Sequence, residues 1–410
     1  MNIKSLFFSS TTALLVISGA QAAPIITKES EPAKYVRVCD AYGKGYFYIP
    51  GTETCIRLSG SIRADLIGGD NIDATTDSEL KNNKKTYKSS ARLTLVFQTA
   101  SETELGTLRS YARFYSQWSQ GKDSAGAKLS SAYLELGGFR IGLADTIFNT
   151  WTGGYGNVIN DDSIAPAGVT RTNFISYTFN DESGFSAIIG AELGNASGIN
   201  TSDPKNNSFY IKNDKIASVS EDNLPALSKQ IKNYTSNLLL GMKFIQKWGG
   251  FSTVAAYDSY YKKWAGKLRV DFNVNNNLNL WVMGGYKNSI DYYTSTPDDQ
   301  DQTTRLLSRQ NATIYANWGG KWAAWAGATY KITPKTNFNA QVSYSAVKTF
   351  ATSLNVSYTL VPGLVITPEL TYVSWNDDRT FSAINNDTVY KHTLNGKSAL
   401  QGMIRIQRSF

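Results

Sequence analysis

Beyond its first two dozen residues the chain has no run of about 18 consecutive apolar residues, so no helix is available to cross a membrane. Histidine occurs once, as His392, and cysteine twice, as Cys39 and Cys55, in 410 residues. A single histidine leaves a Ser–His hydrolytic unit one candidate base, and His392 sits in a loop-like Lys391-His392-Thr393 stretch with no supporting motif around any serine. Two cysteines with one histidine do not complete a tetrahedral metal site. Glycine-rich phosphate loops, fixed-period repeats and nucleic-acid-binding motifs are also missing, so no enzyme activity, cofactor, metal or nucleic-acid partner is expected.

What is present begins with a leader. Lys4, the apolar stretch Leu6 to Ile17 and the small-residue site Ala20-Gln21-Ala22 read as a secretory signal over residues 1–22. Those residues carry one charged side chain, Lys4, so their removal takes the formal net charge from +8 to +7. In an exported chain the simplest fate of Cys39 and Cys55 is a disulfide closing a loop of about 15 residues; two free thiols are the alternative.

From residue 55 onward, runs of about ten residues alternate apolar and polar side chains. Ile56, Leu58, Ile62, Ala64 and Leu66 share one face against Arg57, Ser59, Ser61, Arg63 and Asp65. Leu93, Leu95 and Phe97 oppose Arg92, Thr94 and Gln98, and Leu108, Ala112, Phe114 and Trp118 oppose Arg109, Tyr111, Arg113, Tyr115 and Gln117. Late in the chain Phe338, Ala340, Val342 and Tyr344 alternate with Asn337, Asn339, Gln341 and Ser343, and Leu354, Val356, Tyr358 and Leu360 with Asn355, Ser357 and Thr359.

Alternation alone suits either a soluble sandwich with a packed interior or a barrel whose apolar face meets lipid. Three features favour the barrel. Tight links at Gly137-Gly138, Asn180 to Gly184, Lys247 to Gly250, Asn275 to Asn277 and Val361-Pro362-Gly363 alternate with long polar insertions near 68–89, 145–172, 195–236, 288–311 and 376–398. Aromatics are plentiful, with 24 Tyr, 18 Phe and 9 Trp. Trp118, Trp151, Trp248, Trp264, Trp318, Trp322 and Trp375 fall near strand ends, where girdles at the lipid–water boundary are expected. The chain ends on Phe410, in line with Leu400, Ile404 and Ile406, which resembles the signal that outer-membrane assembly machinery reads. Placing Ala312 to Trp318 in its preceding loop, or in the strand at 322–332, gives sixteen strands, an even number that leaves an aqueous channel.

Tyr35-Val36-Arg37-Val38-Cys39-Asp40-Ala41-Tyr42-Gly43, continuing through Gly45 to Cys55, resembles the opening signature of the alphaproteobacterial porins. Ala132-Tyr133-Leu134-Glu135-Leu136-Gly137-Gly138-Phe139-Arg140, Val361-Pro362-Gly363 with Thr367-Pro368-Glu369, and the ending Gln407-Arg408-Ser409-Phe410 are similar to the same family. The likeness spans nearly all of the chain after the leader and weakens in the long insertions. It implies an all-β, 16-stranded antiparallel transmembrane barrel over 55–410, preceded by a periplasmic-side segment at 23–54. Short periplasmic turns, long extracellular loops, a homotrimer in the outer membrane and a third loop, about 145–172, folded into the lumen as a constriction go with it.

Such a pore passes small hydrophilic solutes down their gradient and selects by radius and lining charge. Strand parity turns Arg63, Arg92, Arg109, Arg113 and Arg140 inward, and the inserted loop offers Asp145, Asp161 and Asp162 to face them. The net +7 points to anion preference, although lysines such as Lys81 to Lys88 are equally placed to meet anionic lipopolysaccharide. A substrate-specific channel for anions or sugars, an adhesive role for the loops, a barrel hydrolase and a soluble lectin-like β-protein are the competing readings.

Overall fold

The computed structural model describes residues 37–410 except 75–79, 81–86, 120, 124–125, 154–155, 167–170, 194–207, 213–214, 218–234, 260–261, 289–291, 298–303, 311–312, 317, 377–380, 386–387, 393 and 395. The expected leader at 1–22 lies outside the described residues.

The sixteen long strands are β1 Cys55–Gly69, β2 Tyr87–Thr103, β3 Gly106–Ser119, β4 Lys128–Leu136, β5 Phe139–Ala144, β6 Thr172–Asn180, β7 Phe185–Leu193 and β8 Asn237–Gln246. They continue with β9 Gly249–Asp258, β10 Lys263–Asn273, β11 Leu278–Lys287, β12 Trp322–Thr333, β13 Thr336–Ser345, β14 Thr349–Val361, β15 Leu364–Trp375 and β16 Lys397–Ser409. Each pairs antiparallel with its sequence neighbour, and β16 pairs with β1 from Ser61↔Ser409 to Gly69↔Gln401, which closes the barrel. Closure leaves no edge strand, so the backbone polar groups of the wall pair strand to strand instead of with water, the condition for crossing lipid. The last residue takes part: Phe410 and Gly60 exchange both backbone hydrogen bonds, at 3.0 and 2.9 Å.

The alternation read from the sequence sorts the side chains as the barrel requires. Leu58, Ile62, Leu66, Leu93, Phe97, Val342, Tyr344, Leu354, Leu400 and Ile404 are exposed on the outer wall, whereas Asp65, Thr94, Asn339, Gln341, Ser343, Ser353, Asn355 and Gln401 are buried on the inner one. A band of large apolar side chains this extensive facing water would be an aggregation surface; facing acyl chains it is solvated. Arg408, which interrupts the apolar series on β16, donates from Nη1 to the Pro362 carbonyl at 2.7 Å at the short-turn end.

The turns follow their chemistry. Gly137 and Gly138 link β4 to β5 with φ of 55° and 91°, the doubly positive turn that matches strand twist. Pro362-Gly363 links β14 to β15 with φ of 80° at the glycine, as a proline-glycine turn demands. At the other end the connections are uneven: 145–171 and 288–321 are long, but 259–262 and 346–348 are four and three residues. Segments of two long connections, Ser208–Lys212, Lys215–Ala217, Tyr292–Pro297 and Thr304–Gln310, pair in a small sheet of their own.

Ahead of the barrel, the short helical turn Asp40–Tyr42 and the Val38↔Phe47 bridge fold back on the start of β1, and Cys39 is bonded to Cys55. That disulfide closes a loop of 16 residues' separation, worth about 3 kcal/mol on the loop-entropy account.

The tryptophans divide. Trp118, Trp248, Trp264 and Trp322 are exposed on the outer wall, as a girdle needs, whereas Trp151, Trp318 and Trp375 are buried inside the barrel. The girdle reading fails for those three because Trp151 and Trp318 are carried by connections that enter the lumen and Trp375 has inward parity on β15. Residues 313–316 and 318–321 add no strand; Thr313, Ile314, Tyr315, Ala316 and Trp318 are buried in the lumen.

Candidate functional site

The barrel is not an empty tube, and the connection between β5 and β6 fills part of it. Thr146 caps the short helix α1, Ile147–Thr150, accepting from the Phe148 amide at 3.2 Å. The same hydroxyl donates to both oxygens of Glu192 on β7, at 2.8 and 2.7 Å, and the Ile147 amide donates to Glu192 Oε1 at 2.7 Å. A side chain at Gly190 or Gly241 would collide with Ile147 or Trp151, so these two inward glycines admit α1 and the turn after it close to the wall.

Beyond α1 the connection runs along β12 to β15 as a polar seam. The Gly156 amide donates to Gln341 Oε1 at 3.1 Å, Asn157 Nδ2 to Thr329 at 2.9 Å, and Asn355 Nδ2 to the Asn157 carbonyl at 3.0 Å. Glu369 on β15 accepts from the amides of Ile159 and Asn160, the second at 2.7 Å. Ser353 donates to the Asn160 carbonyl at 3.1 Å, Gln341 Nε2 to the Asp161 carbonyl at 2.9 Å, and Trp325 Nε1 to the Ile164 carbonyl at 2.8 Å. These partners lie about 160 to 210 positions away in the chain, so the connection spans the barrel interior. Hydrogen bonds to a buried carboxylate stabilise more than neutral ones, at roughly 1.5–3 kcal/mol each, which makes Glu369 the strongest of these anchors.

The wall of β16 and β1–β5 carries arginines. Arg63 pairs in register with Arg92, and Arg92 Nε donates to Gln117 at 2.7 Å while its guanidinium lies 4.9 Å from the Tyr115 ring centre. Arg405, opposite Asp65 across the β16–β1 seam, grips that carboxylate with both nitrogens, Nε at 2.7 Å and Nη2 at 3.0 Å. Arg63 Nε stands 3.5 Å from the same group. Arg113, exposed on the inner face of β3, is close enough to Arg63 and Arg92 for the three to repel one another. One buried carboxylate, Asp65, therefore sits among three guanidinium groups, those of Arg63, Arg92 and Arg405, with Arg113 farther along β3.

Arg109 and Arg140 lie apart, near the short turns. Arg140 is 3.7 Å from Glu135 and stacks over Tyr133 at 4.0 Å, and Tyr133 stacks on Tyr111 at 4.9 Å. Arg109 is opposite Glu135 in register. Asp145 lies at the head of the inserted connection beside Arg113 and Arg171; burial raises its carboxyl above the ordinary range and the two arginines oppose that. Burial, then the adjacent Asp162, push the Asp161 carboxyl up to about 7; Glu369 adds to the rise, and Arg405 opposes it. Asp73, on the connection after β1, is raised in the same way by burial and then by Asp162. The structure thus groups Arg63, Arg92 and Arg113, and groups Asp161 with Asp162.

Reading the sequence missed Arg405, Asp65 as their shared partner, Glu369 and Asp73. Parity could have supplied the first: Ile404 and Ile406 face out, so Arg405 faces in. Glu369 stood in view beside Pro368, but nothing local marks it as an acceptor for loop amides.

Residues 23–403 match the family model described as Porin subfamily. The chain belongs to that family. This porin is 40% identical to Porin Omp2b of Brucella suis over 420 residues, with all of both chains covered. It is 38% identical to Porin Omp2b of Brucella melitensis over 421 residues, again covering all of both. Among solved structures it shares a fold with the outer membrane channel DcaP of Acinetobacter baumannii, at a TM-score of 0.54 over 88% of this chain and 99% of that one, with 13% identity. The porin is an outer-membrane diffusion channel, a sixteen-stranded barrel and not a soluble β-protein.

Proposed function

We propose that small hydrophilic solutes and ions cross this porin through a constriction between two charged faces. One face is Arg63, Arg92, Arg113 and Arg405 on the wall. The other is Asp161 and Asp162 on the inserted connection, with Asp73 and Glu369 behind them. The observation that supports the reading is the seam fastening residues 156–164 to β12–β15, which holds that backbone inside the barrel.

Opposed charges at close range set a field across the path, and low-dielectric walls keep it strong. A hydrated anion follows the arginine side and a cation the carboxylate side. Polar solutes turn their dipoles along the field, and apolar ones lose hydration without return. No group needs to react, because the concentration gradient supplies the driving force. With Asp161 raised to about 7, the acidic face carries less charge near neutrality, which favours anions in the path.

Three chains of this porin assemble as the outer-membrane unit, a reading that rests on family resemblance. Residues 1–22 direct export, Phe410 offers the assembly signal, and the loop lysines meet lipopolysaccharide. A channel with a dedicated solute subsite is the second reading. A cavity of about 460 Å³ under the inserted connection, lined by Asn157, Asn337, Asn339, Thr367, Arg405 and Gln407, favours it through its wealth of uncharged hydrogen-bonding groups.

Planar-bilayer recording of the refolded protein in unequal salt tests both. Large steady conductance closing in thirds, with an anion-directed reversal potential, supports the diffusion pore. Saturable block of that current by one class of sugar or acid supports the dedicated subsite. Folded, inserted protein without conductance overturns the proposal.

A further inference from the structure

We propose that the lumen-buried residues Thr313–Ala316 and Trp318, from the connection between β11 and β12, act on the channel as a second inserted element, Tyr315 as a positioning residue that fixes the first and Trp318 by filling cross-section. Its burial sets it apart from an ordinary surface connection. Tyr315 and Ala316 are 0% exposed, and Ile314 and Trp318 are nearly as enclosed. A four-residue stretch this apolar could extend a strand, yet pairing to the barrel begins only at Trp322.

The segment is tied to the wall at separate points. The Ile314 amide donates to Asp258 Oδ2 at 2.8 Å, and Lys287 Nζ donates to the Ala316 carbonyl at 2.8 Å. Ala316 has φ of 66°, a left-handed backbone that alanine rarely adopts and that persists only where surroundings impose it. Trp318 fills the space left by Gly285, where an added Cβ would come within 2.7 Å of the indole, and packs edge-on to Trp325 at 5.5 Å.

Its contact with the first inserted connection combines one shared carboxylate with ring packing. The Tyr315 hydroxyl donates to Glu192 Oε2 at 2.9 Å, the group that also accepts from Thr146 and the Ile147 amide. The Tyr315 ring lies 5.4 Å from Phe148 and the Trp318 ring 6.4 Å from it. Glu192 thus joins β7, the cap of α1 and the second insertion in a single buried node. The helix it holds is only four residues long, too short to be stable by itself, so α1 depends on that node, its cap and packing from above. Tyr315 acts on the channel through α1, and Trp318 acts by occupying cross-section that would otherwise be open.

Single-channel recording in planar bilayers, on protein whose folding is checked by heat-modifiable gel mobility, separates this role from a merely stabilising one. Trp318→Ala is expected to raise the conductance about 1.5-fold by widening the lumen, and to admit larger neutral sugars in liposome swelling. Tyr315→Phe removes one hydroxyl and keeps the ring; its mean conductance stays near wild type, while open-channel noise and voltage-driven closures increase as α1 loosens. Tyr315→Phe is the milder change, removing a single hydroxyl, so it decides the matter should Trp318→Ala fail to fold. Unchanged conductance, noise and closure voltage in folded Trp318→Ala and Tyr315→Phe, whatever happens to thermal stability, would overturn the proposal.

Discussion

The two sides of the lumen are built from the same residue types at the same strand parity and end in opposite states. On β1–β3 and β16 the inward cations Arg63, Arg92, Arg113 and Arg405 stay partly accessible, with aromatic contact limited to Arg92 over Tyr115. On β10 and β11 the inward cations Lys267, Arg269 and Lys287 are almost wholly buried. Lys267 Nζ lies 4.7 Å from the Phe148 ring centre, and Arg269 lies 4.3 Å from that of Trp281 and binds Asp271 at 2.7 Å. Lys243 on β8 stands 4.2 Å from Trp151. Inward parity alone therefore does not make a residue pore-lining. A cation covered by an inserted aromatic is held by cation–π attraction and adds little to the field a solute meets, whereas an uncovered one supplies that field.

The largest effect that bears on this contrast is charge reversal on the open side. Arg113→Glu is expected to shift the anion-to-cation permeability ratio several-fold toward cations, read from the reversal potential in a salt gradient. A shift equally large for Lys267→Glu would erase the distinction between the sides. Next comes Glu369→Ala, which leaves the Ile159 and Asn160 amides without their acceptor. Each unsatisfied buried donor costs roughly 1–3 kcal/mol, so the inserted connection is expected to detach, giving noisy, multi-level currents in place of a steady step. Glu369→Gln, which keeps one acceptor oxygen, should fall between the two.

Acidity supplies a third probe. Asp161 is raised to about 7, so as the pH falls through that value it takes up a proton and the acidic face loses charge. Anion preference should increase from pH 8 to pH 6, and Asp161→Asn should remove most of that change. The same sign holds for stability. A carboxyl that binds its proton more tightly when folded adds stability as the pH drops below about 7, down toward its unfolded value. A smaller effect on the channel, though not on folding, is expected from reducing Cys39–Cys55: about 3 kcal/mol of stability lost by the loop-entropy account, seen as a lower melting temperature, with conductance unchanged. Smallest of all is Lys267→Met, which trades a covered cation for a thioether and should leave the reversal potential within error of wild type.

How far the sequence reads depends on whether a feature is periodic or made by long-range contact. The strands were legible because period-2 alternation is local: Leu58, Ile62 and Leu66 face lipid as their parity requires. The turns were legible because Gly137-Gly138 and Pro362-Gly363 have few conformations open to them. Arg63 and Arg92 meet because neighbouring strands hold them in register, and Arg113 shares their inward face on the next strand, opposite Val96. Connections have no such period. Trp151 and Trp318 look like girdle tryptophans by position, and only their burial inside the lumen says otherwise. The Glu192 node joins residues 46 and 123 positions away, contacts that no local pattern encodes.

The most direct test of a lumen open on one side and filled on the other uses thiol accessibility. The two native cysteines are bonded to each other, so an introduced cysteine is the only free thiol. Arg113→Cys and Lys267→Cys would each be treated with a small anionic thiol reagent during single-channel recording. Stepwise block at position 113 with no response at 267 is the predicted result. Rapid block at 267, or none at 113 in a conducting channel, would contradict the account.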